Sequence, residues 1–351
     1  MRKAAILTNQ LFAWDNSDII VGGGGERFAI RLANLLIKTG FEAHIFQYSP
    51  TPFIKRIGDI YVHGIRDNRI ACNCFRTGVC DVFYRATEDF DNVIINMPEM
   101  TGGAVRDDAI LITHSTYWCG RSGETLTGIK KKYMFDAFHN AAKNVVVHPF
   151  TIETMRKAGF DEIADRTICI DNCVDTDIFK PGEKEKIILF PGRAEKMKGA
   201  DLIEGILQDL DLPDWKVIWC GDGNYAETLK LLEGKHKNFS IINLPQDEAH
   251  MAYATASICV VMNLISRGNS LALMEGMASE CACIGINGGT TLINDCINGI
   301  LCQPEQILAS IKRLAGNCTL RKELGKQARL DMIAGHSPAV WERKWINLIG
   351  E

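Results

Sequence analysis

Twice along this chain a short apolar run gives way to a glycine-bearing turn and then to an apolar run of helical period. The second series restarts at Lys186. Strands alternating with helices in this way specify a parallel sheet flanked by crossover helices. In the first series residues 3–8 read as a strand and residues 21–25 as a glycine loop. Phe28, Ile30, Leu32, Leu35 and Leu36 form the apolar face of a helix that Gly40 ends, and residues 43–47 make the next strand. Further strands are expected at 93–96, 109–113 and 145–147, and the end of a helix at 155–160. The second series places strands at 186–190, 216–220, 240–244, 258–262 and 282–286, with helices opening at 200 and spanning 271–278. A chain of 351 residues is too long for one ordinary core. Two doubly wound α/β domains facing across a cleft are therefore expected. The Pro-Gly-Glu-Lys stretch at 181–184 reads as their linker, which gives domains 1–183 and 184–336. A final helix at 337–351, carrying Trp341, Trp345 and Leu348, is expected to pack back on the first domain.

Composition narrows the function classes. Apolar residues make up 46% and charged residues 23%, the balance of a soluble globular protein. The net charge of −4 gives no case for a nucleic-acid partner. The run Lys130-Lys131-Lys132 reads as a solvated face, or as a point where a peripheral membrane contact or an anionic glycan would meet the chain. Thirteen cysteines are scattered, and many sit in apolar runs, which suits buried thiols in a reducing compartment. The cluster Cys72-Asn73-Cys74 with Cys80 lacks the paired spacing of a zinc site. The opening residues MRKAAILTNQ read as a strand rather than a secretion signal, so a cytoplasmic location is expected.

The stretch from Met262 to Gly289 concentrates the candidate chemistry. Ser266-Arg267-Gly268-Asn269-Ser270 is a loop of mostly small residues opening an apolar helix. The first amides of a helix lack internal partners and, with the helix dipole, suit a phosphate. Glu275 lies one turn into that helix, where it could accept hydrogen bonds from a ribose. A surface loop capping a buried helix, with Glu275 solvated, accounts for the same residues equally well. Glycines 22–25 precede the first helix and would let a backbone approach another molecule closely. Their spacing is not the dinucleotide fingerprint, which weighs against a nicotinamide dehydrogenase. Met97-Pro98-Glu99 and His114-Ser115 follow strands at their carboxyl ends, where open α/β sheets bind ligands. Asp175-Thr176-Asp177 mimics a metal-binding pair but leads into the linker, and no metal is expected there.

These residues carry a resemblance. In order along nearly the whole chain they are similar to the GT-B-fold retaining glycosyltransferases of family 4, the "glycosyl transferases group 1" type. Gly24-Gly25-Glu26-Arg27 resembles the family's opening GGxE loop. Asn172-Cys173-Val174-Asp175 with Phe179 resembles its inter-domain Asn-Gly-Val-Asp segment, with Cys173 in place of the glycine. Gly192-Arg193 with Lys198-Gly199 resembles its Gly-Arg and Lys-Gly loop, and Gly221-Asp222-Gly223 its Gly-x-Gly turn. Glu275, Met277 and Ala278, then Gly288-Gly289, match the family's second-glutamate helix and the Gly-Gly pair after it.

The resemblance implies a GT-B fold of two Rossmann-like domains and a hexosyltransferase that works with retention and without metal. Its co-substrate would be a nucleotide-diphosphate sugar bound mainly by the C-terminal domain, with no other cofactor. The acceptor would be a glycan, a lipid-linked sugar or a small molecule. Arg193 and Lys198 would neutralise the departing diphosphate. Glu275 would hold the ribose, while Ser270, Leu271, Gly221, Gly223 and the Gly24-Gly25 loop would cradle the donor. His114 would lie near the donor sugar and acceptor.

Two positions depart from the family pattern. Arg267 stands where the first glutamate of the pair is usual, and Leu292 stands where a glutamate often follows the Gly-Gly pair. An arginine cannot accept a hydrogen bond from a sugar hydroxyl. Arg267 therefore implies contact with an acidic sugar or acceptor phosphate, an ion pair with a carboxylate such as Glu275, or lost turnover. The last reading makes the chain a catalytically weak nucleotide-sugar-binding subunit that supports a partner enzyme.

Overall fold

The computed structural model describes residues 1–13, 18, 23–66, 77–114, 128–245, 247–264 and 268–350. Arg267, Ser266, Ser115, Val21, Gly22, Cys72 and Cys74 lie outside the described residues, as does the side chain of Lys130. The chain divides into two compact units, one of Met1–Ile170 with Trp345–Glu351 and one of Asp171–Lys344.

The first unit holds strands β1 (Arg2–Thr8), β2 (Phe41–Tyr48), β3 (Phe53–Ile57), β4 (Ile60–Ile65), β5 (Asn92–Ile95), β6 (Ile110–Thr113), β7 (Lys143–Val146) and β8 (Ile168–Cys169). Their order in the sheet is β3-β4-β2-β1-β5-β6-β7-β8. Helices α1 (Gly24–Lys38), α2 (Thr77–Ala86), α3 (Gly128–Asn140), α4 (Phe150–Lys157) and α5 (Asp161–Arg166) connect them. β1 explains the topology. Its middle residues, Ala4 to Leu7, are 0% exposed, and Ala4 aligns with Ala43 on one side and Asn92 on the other. A parallel strand buried on both faces must be apolar throughout, as this one is. The strand order reverses between β1 and β5, so a crevice opens beyond their carboxyl ends.

The β3–β4 hairpin is antiparallel and was not legible in the pattern of alternating strands and helices. The glycine run also differs from expectation. Gly24 and Gly25 are the first residues of α1 rather than a loop, and Gly23 is the extended residue before the helix. The helix starts this early because Arg27 N–H reaches Gly23 O at 3.1 Å and Glu26 supplies a carboxylate to the first turn. A Cβ on Gly23 would lie 2.0 Å from Glu26 Oε2, so that carboxylate folds over the glycine. Phe28, Leu32, Leu35 and Leu36 bury the inner face of α1, each worth roughly 1.5–3 kcal/mol.

The second unit holds β9 (Glu185–Pro191), β10 (Lys216–Cys220), β11 (Phe239–Ile242), β12 (Ala256–Val261), β13 (Ala282–Ile286) and β14 (Ile300–Cys302). Its order, β11-β10-β9-β12-β13-β14, reverses between β9 and β12. Helices α6 (Ile203–Asp209), α7 (Ala226–Lys235), α8 (Ala249–Thr255), α9 (Leu271–Ala278), α10 (Ile307–Gly316) and α11 (Cys318–His336) surround it, and α12 (Pro338–Gly350) ends the chain. α9 packs closely on β12, since a Cβ at Gly276 would sit 2.7 Å from Cys259 Sγ. Residues 171–183 fall in this unit. Val174 is buried, and its N–H donates to His336 O at 3.0 Å. The Arg329 guanidinium donates to Thr176 O, Phe179 O and Ala278 O, tying the segment to α9 and α11. Among the described residues no helix is long and apolar enough to cross a membrane.

Candidate functional site

The switch point of the second unit carries a pocket of about 310 Å³, counting space open to solvent. Pro191 and Gly192 at the end of β9, and Met262 and Asn263 just beyond β12, form its two sides. Lys198, Trp219, Val260, Ser270 and Ala272 also line it. Lys198 Nζ donates to Asn263 Oδ1 at 2.6 Å. Burial is the main influence lowering the Lys198 pKa, and the cation of Arg193 adds to it while Glu195 opposes. An ammonium so placed gains from an anionic ligand. Arg193 is 70% exposed at its side chain and pairs with Glu195 at 2.8 Å.

Backbone geometry locks the neighbouring loops together. Gly192 N–H donates to Cys220 O at 2.9 Å, Ala194 N–H to Asp222 O at 2.9 Å, and Tyr225 N–H to Ala194 O at 2.8 Å. Gly221 and Gly223 have φ of 143° and 155°. Added Cβ atoms there would lie 2.3 Å from Gly192 O and 2.6 Å from Ala194 O. Only glycine permits both the torsion and the approach. The turn therefore fixes the loop that carries Arg193. Trp219 Nε1 donates to Gly192 O at 3.0 Å from inside the sheet.

α9 begins beside this pocket. Ser270 caps it, its Oγ accepting from Leu273 N at 3.2 Å. Leu271 is the first helical residue, where an amide has no intrahelical partner. Asn269, only 5% exposed, holds the approach to the cap. Its Oδ1 accepts from Thr290 Oγ1 at 3.0 Å and Thr291 N at 3.0 Å, and its Nδ2 donates to Asp171 Oδ1 at 3.1 Å. Gly268 N–H donates to Gly289 O at 3.0 Å. The loop and the Gly288-Gly289 turn are thus one structure. Glu275 does not line the pocket. It is 6% exposed, buried within α9.

The remaining candidates lie in the first unit, at its own switch point. Asn96, at the end of β5, donates through Nδ2 to Thr8 Oγ1 at 3.2 Å and to Gly25 O at 3.3 Å. Its Oδ1 lies 2.6 Å from His114 Nε2. With the amide so assigned, His114 carries its proton on Nε2 and leaves Nδ1 as an acceptor. Burial, with neighbouring His148 adding to it, pushes the His114 pKa down to about 4, so the ring is neutral near pH 7. Phe28 meets the ring edge-on at 4.7 Å. Asn96, Asn263 and Asn269 were not singled out as site residues from sequence. Asn96 and Asn263 share a signal, a polar residue where an apolar strand ends. Among the described residues no group of three His, Cys, Asp or Glu side chains gathers as a metal site.

Solved structures share this architecture over the whole chain. Sucrose-phosphate synthase from Thermosynechococcus elongatus matches with a TM-score of 0.80 at 15% identity, covering 99% of this chain and 98% of that one. The Anabaena protein HepE, solved with UDP, matches at 0.78 and 12% identity, covering 99% of both. The fold is GT-B. A mutant of S. aureus TarM, solved with fondaparinux, alpha-GlcNAc-glycerol and UDP, also matches this GT-B chain, with a TM-score of 0.74, 13% identity and full coverage of both. Residues 174–331 match the family model "Glycosyl transferases group 1". An uncharacterised glycosyltransferase of Methanocaldococcus jannaschii is 28% identical over 244 residues, 66% of this chain and 67% of that protein. The family model thus covers most of the second unit, and the likeness in fold covers the whole chain.

Proposed function

We propose that this chain moves a sugar from a nucleoside-diphosphate sugar to a hydroxyl of a glycan, lipid-linked or small-molecule acceptor, with retention of configuration and without a metal. The observation that carries this reading is the Lys198 ammonium, held by Asn263 in the switch-point pocket beside the capped start of α9. Breaking the bond from sugar to diphosphate develops negative charge on the leaving oxygen. Lys198 and Arg193 place two cations against that charge, and the amide of Leu271 adds a dipole. Glycines 221 and 223 keep the Arg193 loop in place, and Glu275 takes the ribose hydroxyls. These groups supply the neutralisation that a divalent ion would otherwise provide. On the acceptor side, neutral His114 offers Nδ1 as a hydrogen-bond acceptor to a hydroxyl. The departing phosphate oxygen receives that hydroxyl's proton, so no protein nucleophile enters the reaction. The buried thiols fit a reducing compartment, and we place the activity in the cytoplasm.

UDP and UDP-glucose are the nucleotides named with HepE, and they are the first probes for this chain. Melting is followed with UDP, GDP, ADP and CMP and their common sugar conjugates, without added metal. A bound ligand raises the melting temperature by mass action. A rise with one nucleotide, followed by transfer in the presence of a chelator and an unchanged anomeric configuration by NMR, is the expected result. No rise in a folded sample overturns the donor site. Activity lost to the chelator overturns metal independence.

A further inference from the structure

Two histidines follow the carboxyl ends of the neighbouring strands β6 and β7. Thr113 pairs with Val146 at the end of the ladder, and Val147 N–H donates onward to Thr113 O at 3.3 Å. His114 comes directly after Thr113, and His148 directly after Val147. The rings feel one another, since burial lowers the His114 pKa and His148 lowers it further. His148 is 4% exposed, and among the described residues its Nδ1 has no hydrogen-bond partner. The other ring nitrogen fixes the tautomer. His148 Nε2 lies 3.3 Å from Thr151 Oγ1, and Thr151 is 0% exposed. Among the described residues that ring is the hydroxyl's one partner. A proton on Nε2 would leave both the hydroxyl hydrogen and the Nδ1 lone pair buried and unmatched. With the hydroxyl donating to Nε2, only Nδ1–H is left over. His148 therefore offers a donor beside His114, whose Nε2–H is taken by Asn96 Oδ1 at 2.6 Å and whose Nδ1 is an acceptor.

We propose that His148 is an acceptor-binding residue, its Nδ1–H donating to the oxygen of the same hydroxyl whose hydrogen His114 Nδ1 accepts. The inference rests on the acceptor side of the proposed function and narrows it. One donor and one acceptor match an alcohol, which is both. They do not match a phosphate or carboxylate oxygen, which would meet the His114 lone pair. Nor do they match a metal cation, which would meet the His148 proton. Burial holds the pKa of both rings near 4, so the pair stays neutral at pH 7 and keeps this preference. The pair thus selects a neutral sugar or polyol hydroxyl. A buried N–H left unmatched costs about 1–3 kcal/mol, which the arriving oxygen relieves.

The test uses the full chain with isotopically labelled histidine nitrogens, glycerol as the probe hydroxyl and inorganic phosphate as the probe anion. Nitrogen–proton NMR spectra, assigned with His114→Ala and His148→Phe, show which nitrogen of each ring carries the proton. The expected tautomers are Nε2–H at His114 and Nδ1–H at His148. Glycerol is expected to shift Nδ1 of both rings, and phosphate neither. In His148→Phe the half-saturating glycerol concentration read at His114 is expected to rise about three- to tenfold, the worth of one hydrogen bond. His148→Asn, whose amide N–H can stand in for Nδ1–H, should regain most of that loss. Melting temperatures confirm that each variant is folded. An Nε2–H tautomer at His148 overturns the inference. So does the expected tautomer without a response to glycerol, which leaves an internal water as the partner of Nδ1–H, or a stronger response to phosphate than to glycerol. A parent that binds a nucleotide and ignores glycerol loses this inference alone. A parent that binds no nucleotide loses the donor-site reading, whatever the imidazoles show.

Discussion

Lys198 Nζ and Asn263 Oδ1 lie 2.6 Å apart, joining the loop after β9 to the end of β12 where the strand order of the second unit reverses. A half-buried ammonium whose pKa burial has lowered is held by a neutral amide rather than by a carboxylate. Its charge is oriented but not cancelled. A carboxylate at position 263 would pair with the ammonium and so pre-empt the anion proposed for the pocket.

Lys198→Ala is therefore expected to fold and to fail in turnover. Removing a preorganised charge that acts on a leaving group costs on the order of 100- to 1,000-fold in kcat. Its melting temperature should change little, because the removed charge was itself poorly solvated. Asn263→Asp should fold as well and weaken nucleotide binding by pairing with Lys198. Steady-state kinetics and calorimetry read both, and a Lys198→Ala enzyme with parental kcat refutes the role.

Glycines 221 and 223 differ from Gly25 in what a methyl group would meet. At 221 and 223 the torsions are in the glycine region and backbone oxygens stand 2.3 Å and 2.6 Å from the added carbon. At Gly25 nothing lies within 4 Å. Alanine at 221 or 223 is expected to cost about 1–3 kcal/mol or more and to displace the Arg193 loop. Alanine at 25, inside a helix, should leave stability equal or slightly higher. Chemical denaturation of the three variants decides the order.

The same contrast shows what sequence could carry. Most strands of both units were legible because buried parallel runs such as 187–190 and 258–261 are continuously apolar, and α9 was placed to the residue, whereas β8 and β14, two and three residues long, were not foreseen. The hairpin of β3 and β4 was not, because its alternation of exposed and buried residues is short and sits between two stronger signals. Gly24 and Gly25 read as a loop because glycine propensity outweighs the Glu26 and Arg27 contacts that pull them into α1. Lys198, Arg193 and Glu275 stood out through their motifs. The Lys198 partner, Asn263, comes from the end of another strand, and pairing across a fold has no local signature.

Acid should loosen the first unit before ordinary carboxylate titration accounts for it. Burial pushes His63, His114 and His148 from 6.5 down to about 4. A folded pKa below the unfolded value means that the unfolded chain takes up the proton first. Stability from these rings is thus intact above pH about 6.5 and is lost as the pH falls toward 4. The slope is up to ~1.4 kcal/mol per pH unit for each proton taken up. Scanning calorimetry between pH 7 and 4 should show the decline, and His148→Gln should flatten it. An equal slope in that variant excludes His148 as a source.

Asn269→Asp tests the joint between loop, turn and segment 171–183. The parent amide donates to Asp171 Oδ1 at 3.1 Å while its oxygen accepts from Thr290 and Thr291. A carboxylate keeps the acceptor but loses the donor, and it sets a second negative charge against Asp171, whose own pKa burial already raises. Like charges at that distance raise the carboxyl pKa further in the folded state than in the unfolded chain. A folded pKa raised in this way penalises folding above it, and the penalty fades as pH falls and the pair binds a proton. The variant is expected to be destabilised at pH 7 by about 2 kcal/mol or more. It should regain part of that loss near pH 5, whereas Asn269→Ala should show a loss that does not depend on this charge pair. Melting curves of both variants at the two pH values, each referred to the parent, separate the charge from the missing hydrogen bond. Identical pH dependence in the two variants shows that Asp171 and residue 269 do not interact as the 3.1 Å contact implies.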